Sequence, residues 1–291
     1  MSAAAHIAEI LAGAPVRSRG GNYLVKCAAH DDEQPSLSLR DGDDGLIVHC
    51  FAGCRAGDVY AAIRRRCGEQ ALRPGDTAPK PVKGSGEYER RQHEKASWLW
   101  SRRRPIIGSI AETYLREVRK YAGPLPATLA FLPPLKAEHH PAMIAAFAMV
   151  DEPEPGVLGA PKDVGSVHLT LLKSDGSGKA DTNPNKLIIG RVLGRPIVLA
   201  PVNDLLGLAV TEGIEDALSV HQALGLGAWA AGSAPFLPKL ASAIPDYVTT
   251  LTILVDANEA GRRYSRGLAT LLRQRESRKG ERPVEIIWQE L

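Results

Sequence analysis

The sequence predicts a multidomain α/β protein: a small N-terminal domain rich in cysteine and histidine, an α+β middle subdomain, and a C-terminal α/β domain built on a parallel sheet. Three observations predict it. Three of the four cysteines fall within residues 27 to 54 beside histidines, which is too few for a disulfide scaffold and suits a bound metal. Residues 129 to 200 carry apolar or alternating runs (MIAAFAMV, SVHLTLL, KLIIGRVLGRPIVLA) separated by Gly, Pro, Asp and Asn, the pattern of a mainly antiparallel sheet. After Pro201, short apolar runs alternate with helical stretches, which implies parallel strands joined by right-handed crossovers.

The chain divides accordingly into residues 1–70, a linker at 71–95, a middle subdomain at 96–200 and a C-terminal domain at 201–291. In the first part, residues 5–12 (AHIAEILA) have helical spacing, YLV, LSL and LIVHC read as strands, and GDVYAAIRRRC reads as a closing helix. The following LRPGDTAPKPVKGSGE has the composition of a flexible linker. From Glu94 to Tyr121 the pattern is helical, with Trp98, Leu99, Ile106, Ile107, Ile110, Tyr114 and Leu115 as candidate core and Pro105 as a break. The C-terminal domain runs LGLAVTEG, a helix over 215–224, GAWAAG, a helix over 235–243, TLTILVDA, a long helix to Lys279, and VEIIW.

Hydrophobic content of 44% and charged content of 24% exclude wholesale disorder and fibrous classes. No run reaches the about 18 apolar residues of a membrane span, and Glu9 interrupts an N-terminus without a basic leader. A cytoplasmic protein is expected. The net charge of +3 is small, but Arg64, Arg65, Arg66, Arg90, Arg91, Arg102, Arg103 and Arg104 crowd the first part of the chain. Two readings stand for them, a solvated face or a nucleic-acid contact.

Cys27-Ala-Ala-His30, nineteen intervening residues, and Cys50-Phe-Ala-Gly-Cys54 give four ligands in two close pairs. Thiolate and imidazole donors suit zinc, and a site with no open position is structural. His49 is an alternative ligand, although strand alternation points it away from Cys50; Cys67 falls outside the pattern and reads as a buried helix residue. The stretch CAAHDDEQPSLSL…HCFAGCRAGD resembles the zinc ribbon of DnaG-type and phage-type primases. By that resemblance Cys27, His30, Cys50 and Cys54 hold the metal, the ribbon engages single-stranded DNA template, and Lys26, Arg40 and Arg55 are candidate phosphate contacts.

In VTEGIEDAL, Glu212 closes a predicted strand and Asp216 lies one helical turn beyond it; in ILVDANEAG, Asp256 closes another strand and Asn258 follows two residues later. Each motif alone would read as a helix cap. Together, at carboxyl ends of parallel strands, they face the crevice where open α/β sheets bind ligands, and oxygen donors suit Mg²⁺. The pair resembles the Toprim domain of DnaG-type primases, topoisomerases and some nucleases. That resemblance implies catalytic roles for Glu212, Asp216, Asp256 and Asn258 and metal-holding roles for Glu212 and Asp256, with Asn258 standing where a second aspartate is expected. Upstream, AETYL, HPAMIAAF, HLTLL, GSGKAD and NKLIIGRVLG resemble the region preceding Toprim in primase-like proteins of phages and mobile elements.

Lys179, Lys186, Arg191 and Arg195 precede the acidic motifs among glycines. They are expected to line a template and nucleotide groove; the alternative is a solvated β surface. The function expected from the resemblance is synthesis of RNA primers from ribonucleoside triphosphates on single-stranded DNA, with Mg²⁺ or Mn²⁺ as catalytic cation. The alternatives are a DNA-binding replication accessory protein and a Toprim nuclease. The sequence closes on VEIIWQEL where related proteins continue into an acidic segment, and without a Walker motif any helicase is expected to be a separate partner.

Overall fold

The computed structural model describes residues 2–14, 16, 21–32, 35–42, 45–52, 54–68, 85–154, 156–279 and 284–290. It divides into two compact units, Met1–Ser85 and Gly86–Leu291. Most of the expected linker lies outside the described residues.

In the first unit, helix α1 (Ala3–Ala12) starts where the Ser2 hydroxyl accepts from Ala5 N and stops at Gly13 in a left-handed conformation. Strands β1 (Tyr23–Val25), β2 (Leu37–Gly42) and β3 (Gly45–Cys50) form an antiparallel sheet in that order. Helix α2 (Ala56–Cys67) follows. Alternation along β2 sends Leu37 and Leu39 inward, where they meet Ile7 of α1 and Val59 and Ile63 of α2. Cys67 ends α2 half-buried, and burial pushes its thiol up.

All of α3 (Ser85–Ser101) but its first residue belongs to the second unit, so residues 85–95, expected in the linker, are helical. Their charges support the helix: Glu87 pairs with Arg91 and Arg90 with Glu94, each one turn apart. The helix buries Ala96, Leu99 and Trp100, spaced by three and four. Trp98 falls off that face and is 49% exposed, as is Ile107 at 65%, so neither belongs to the core expected of them. Arg102 lies over the Trp98 ring at 5.7 Å instead. Beyond Pro105, Ser109 caps a short helix α4 (Ile110–Thr113), which continues as a π-helical turn over Tyr114–Val118.

Strands β4 (Leu129–Leu132), β5 (Ala142–Ala146), β6 (Ser166–Leu171) and β7 (Lys186–Gly190) form the antiparallel sheet that the alternating runs predict. Ile144, Ala146, Val167 and Leu169 pack against α3. Met143, Ala145 and Phe147 face a second core, shared with the C-terminal sheet.

That sheet comprises β8 (Ile197–Ala200), β9 (Gly207–Thr211), β10 (Gly227–Ala230), β11 (Thr250–Val255) and β12 (Glu285–Glu290), in the order β12-β11-β9-β10-β8. All neighbours are parallel except β8, which runs antiparallel to β10. Strand β8, expected in the middle subdomain, therefore belongs here: its four residues are all buried, and both its faces find apolar partners only as part of this sheet. Helix α5 (Ile214–Leu224) covers one face through Ile214, Ala217 and Leu218. A 3-10 helix (Ala234–Ser242) and α6 (Glu259–Lys279) cover the other through Leu237, Leu240, Leu268 and Leu272. The helices that follow the adjacent strands β9 and β11 thus lie on opposite faces, which opens a crevice at the carboxyl ends of those strands.

Candidate functional site

In the first unit, ligand atoms of Cys27, His30, Cys50 and Cys54 lie within 4.8 Å of one another. The β2–β3 register sets Cys50 at the end of its strand opposite Leu37, facing inward, while His49 is exposed and stacks edge-on to Phe51 at 4.8 Å. His30 Nδ1 points at Cys54 Sγ (3.2 Å) and Cys50 Sγ (3.8 Å). Its other nitrogen meets Asp32 Oδ1. Asp32 Oδ2 in turn accepts from Cys27 N at 2.6 Å and from the Ser36 hydroxyl at 2.5 Å. A carboxylate that fixes the far nitrogen of a histidine is how proteins orient metal-binding imidazoles. Burial and the neighbouring thiols push Cys54 up to about 12. Three crowded thiols cannot all ionise without a cation, so the donor set fits one tetrahedral zinc.

The second site lies in the crevice of the C-terminal sheet. Val210 of β9 pairs with Ile253 of β11, so Glu212 and Asp256 leave adjacent parallel strands at the same edge. Gly213 then caps α5 and brings Asp216 into the first turn. A β-carbon at Gly213 would stand 2.5 Å from Asp216 Oδ2, so a larger residue there would displace that carboxylate. Burial raises the Glu212 carboxyl, and the Asp256 charge adds to it, while Ala234 N–H and Lys186 oppose. Asp216 is raised by burial, then by Glu215 and Asp256, with Lys186 and Arg119 opposing. Asp256 Oδ1 is buried without a hydrogen-bond partner among the described residues. The three carboxylates do not close into a compact ligand group as the cysteines do. Their unmet charge and the orphaned oxygen nevertheless fit a hard divalent cation that keeps waters or phosphates of its own.

Residues 209–285 match the Toprim-like family. The C-terminal domain is a Toprim-like domain. Residues 90–199, ahead of it, match a family described as a domain of unknown function (DUF7146). No curated protein matches the chain. Among solved structures it is similar to the zinc-binding and RNA polymerase domains of the Aquifex aeolicus primase, at 13% identity and a TM-score of 0.35, over 94% of this chain and 77% of that one. It is also similar to the primase fragment of the bacteriophage T7 primase-helicase protein, at 15% identity and a TM-score of 0.37, over 88% of this chain and 84% of that one. Similarity extends to a DNA primase domain from Pseudomonas aeruginosa, at 13% identity and a TM-score of 0.35, over 68% of this chain and 64% of that one. No helix among the described residues is long and apolar enough to cross a membrane.

The four basic residues expected together ahead of the Toprim-like domain separate. Lys179 Nζ lies 2.7 Å from Glu215 Oε1 and Lys186 Nζ lies 4.0 Å from Glu215 Oε2. Arg191 instead pairs with Glu89 of α3 at 2.8 Å, and Arg195 donates to the Asp163 carbonyl at 3.5 Å. The strand alternation of β7 and the turn after it explain the split: Lys186 shares a rung with Thr170 of β6, whereas Arg191 and Arg195 lie beyond the strand. Asn258 differs from its expected role too. Its amide oxygen accepts from Gly261 N at 2.8 Å, capping α6 of the Toprim-like domain.

Glu215 is the residue that the motif reading passed over. It is only 4% exposed and also accepts from the Tyr114 hydroxyl at 3.0 Å. Burial alone would raise its carboxyl; Lys186 and Lys179 outweigh that and hold it at about 2. A sign of it was present in the sequence, since Glu215 occupies the apolar face of α5 between Ile214 and Leu218, and an acid there requires a partner. Asp32 had a weaker sign, two residues after a ligand histidine.

Proposed function

We propose that the chain is a metal-dependent nucleotidyltransferase that synthesises RNA primers on single-stranded DNA. The observation that carries this reading is the convergence of Glu212, Asp216 and Asp256 in one crevice, with Lys186 acting on the first two. The Toprim-like match and the resemblance of the Cys27–Cys54 segment to a primase zinc ribbon support it.

Asp256 and Asp216 would hold a divalent cation. When bound, that ion neutralises phosphate charge and polarises the phosphoryl group under attack. Glu212, its carboxyl raised by burial, is suited to take the proton of the ribose hydroxyl as its oxygen attacks the α-phosphorus of the incoming triphosphate and the bond to the departing pyrophosphate breaks. Lys186 and Lys179 would face the triphosphate charge. In the N-terminal unit, Cys27, His30, Cys50 and Cys54 would hold structural zinc, and the exposed Lys26, Arg40 and Arg55 would meet template phosphates.

The test is primer synthesis from labelled ribonucleotides on single-stranded DNA at varied Mg²⁺ and Mn²⁺. Glu212→Gln should abolish product and leave DNA binding intact; undiminished product would refute the assigned role.

One observation favours a second reading, a DNA-binding accessory protein with a weakened metal site. Asn258 is neutral, and its amide oxygen is occupied by the α6 cap. An aspartate there could cap with one oxygen and present the other. Asn258→Asp should therefore lower the metal concentration for half-maximal synthesis, and failure of both it and the native chain to make product would favour the accessory role.

A further inference from the structure

Glu215 lies too deep to be a ligand for substrate and too well paired to be incidental. Its carboxylate meets Lys179 Nζ at 2.7 Å, Lys186 Nζ at 4.0 Å and the Tyr114 hydroxyl at 3.0 Å. The two lysines are 28% and 42% exposed, so water reaches both, whereas Glu215 is shielded. The dependence is therefore one-sided: the lysines could be solvated elsewhere, but a buried carboxylate without them would be left uncompensated at high cost.

Lys186 already acts on Glu212 and Asp216 from its place beside Glu215. A β-carbon at Gly213 would stand 2.5 Å from Asp216 Oδ2 and 3.7 Å from Glu215 Oε2. The anchoring carboxylate and a crevice carboxylate thus flank the same glycine. Long flexible ammonium groups released beside Glu212, Asp216 and Asp256 would pair with them and compete with any divalent cation.

We propose that Glu215 is a charge anchor that holds the Lys179 and Lys186 ammonium groups off Glu212, Asp216 and Asp256, keeping those carboxylates free for a divalent cation. Glu215 is a positioning residue: it acts through the lysines. The inference rests on the metal-dependent reading above.

The experiment is equilibrium Mn²⁺ binding to the full chain without nucleotide, followed by electron paramagnetic resonance, in a double-mutant cycle of Glu215→Gln and Lys186→Met. Glu215→Gln should weaken Mn²⁺ binding about tenfold, and adding Lys186→Met should restore most of that loss, whereas Lys186→Met in the native background should change affinity much less. Additive effects, or unchanged binding in Glu215→Gln, would overturn the anchor. A merely structural role for Glu215 would not be rescued by removing a lysine. Should Glu215→Gln fail to fold, Glu215→Asp supplies the same arm, because the shorter carboxylate draws back from Lys186.

A second readout needs no metal. Acetylation of Lys179 by an amine-reactive reagent, followed by mass spectrometry, should be faster in Glu215→Gln than in the native chain. If the native chain bound no Mn²⁺, the metal-dependent reading would fail, and the labelling rates would then decide the anchor, which falls if Lys179 reacts no faster.

Discussion

His168 sits on β6, 3% exposed, with Nδ1 unpartnered among the described residues. Burial lowers its pKa first, and Lys186 adds to that, bringing it to about 4, with Glu215 opposing. Folding therefore favours the neutral imidazole. The stability this confers is fully present above the unfolded value near 6.5 and is lost as pH falls from there through about 4. The loss amounts to up to about 3 kcal/mol. Glu215 acts in a separate window: its depressed carboxyl contributes above its unfolded value of 4.5 and loses that contribution as pH falls toward about 2. His168→Phe should flatten the decline of the melting temperature between pH 6.5 and 4 and leave the more acidic decline in place. Melting curves across that range check it, and an unchanged slope would assign the acid sensitivity elsewhere. Nothing in the sequence around His168 marks it, since SVHLTLL reads equally well with a surface histidine; only the packing of β6 between two layers buries it.

At the scale of elements, the zinc-ligand hairpins and α5 show how far spacing alone reaches. Two close Cys/His pairs on short strands specify a four-ligand cluster because the turn geometry at each pair is local. The orienting shell is not local in the same way. Asp32 ties His30, Cys27 N and Ser36 together, and Ser36 approaches Cys50 Sγ at 3.7 Å from the start of β2. About one zinc per chain is expected by elemental analysis. Asp32→Ala should weaken zinc roughly 10–100-fold, the usual effect of removing such a partner. Competition with a chromophoric chelator measures it. Affinity equal to that of the native chain would mean that His30 is oriented by its backbone alone. In α5, periodicity places the helix and its apolar stripe and marks Glu215 as an acid on that stripe in need of a partner, but it does not say which group supplies one. The partners of Glu215 come from the β6–β7 hairpin and from the turn after α4, distant in sequence.

At the scale of the whole molecule, each unit has a core of its own: Ile7, Leu37, Leu39, Val59 and Ile63 in the first, and the clusters around Phe147, Leu169 and Leu251 in the second. Chelation of zinc from the full chain is expected to abolish one thermal transition and preserve the other. A fragment beginning at residue 86 should fold and retain that second transition. One beginning at residue 96 removes the early turns of α3, including the Glu89–Arg191 pair and the packing of His93 against Gly165. It should melt several degrees lower, because 1 kcal/mol corresponds to about 2–4 °C in a unit of this size. Differential scanning calorimetry of the two fragments decides; equal melting temperatures would return residues 86–95 to the linker.

The sequence by itself determined most of the strands and helices, the antiparallel middle sheet, the alternating C-terminal domain, the grouping of Cys27, His30, Cys50 and Cys54 into a cluster that could hold a metal, and the acids at the ends of β9 and β11. These follow from short-range rules of periodicity, turn chemistry and ligand spacing. Only the tertiary structure decided that β8 joins the C-terminal sheet, that Lys179 and Lys186 converge while Arg191 and Arg195 turn away, that Asn258 caps α6, and that Glu215 is buried. Each of these depends on which distant segment supplies a partner. A strand edge or a buried charge accepts whatever complementary group the fold brings to it, and local sequence does not record which one arrives.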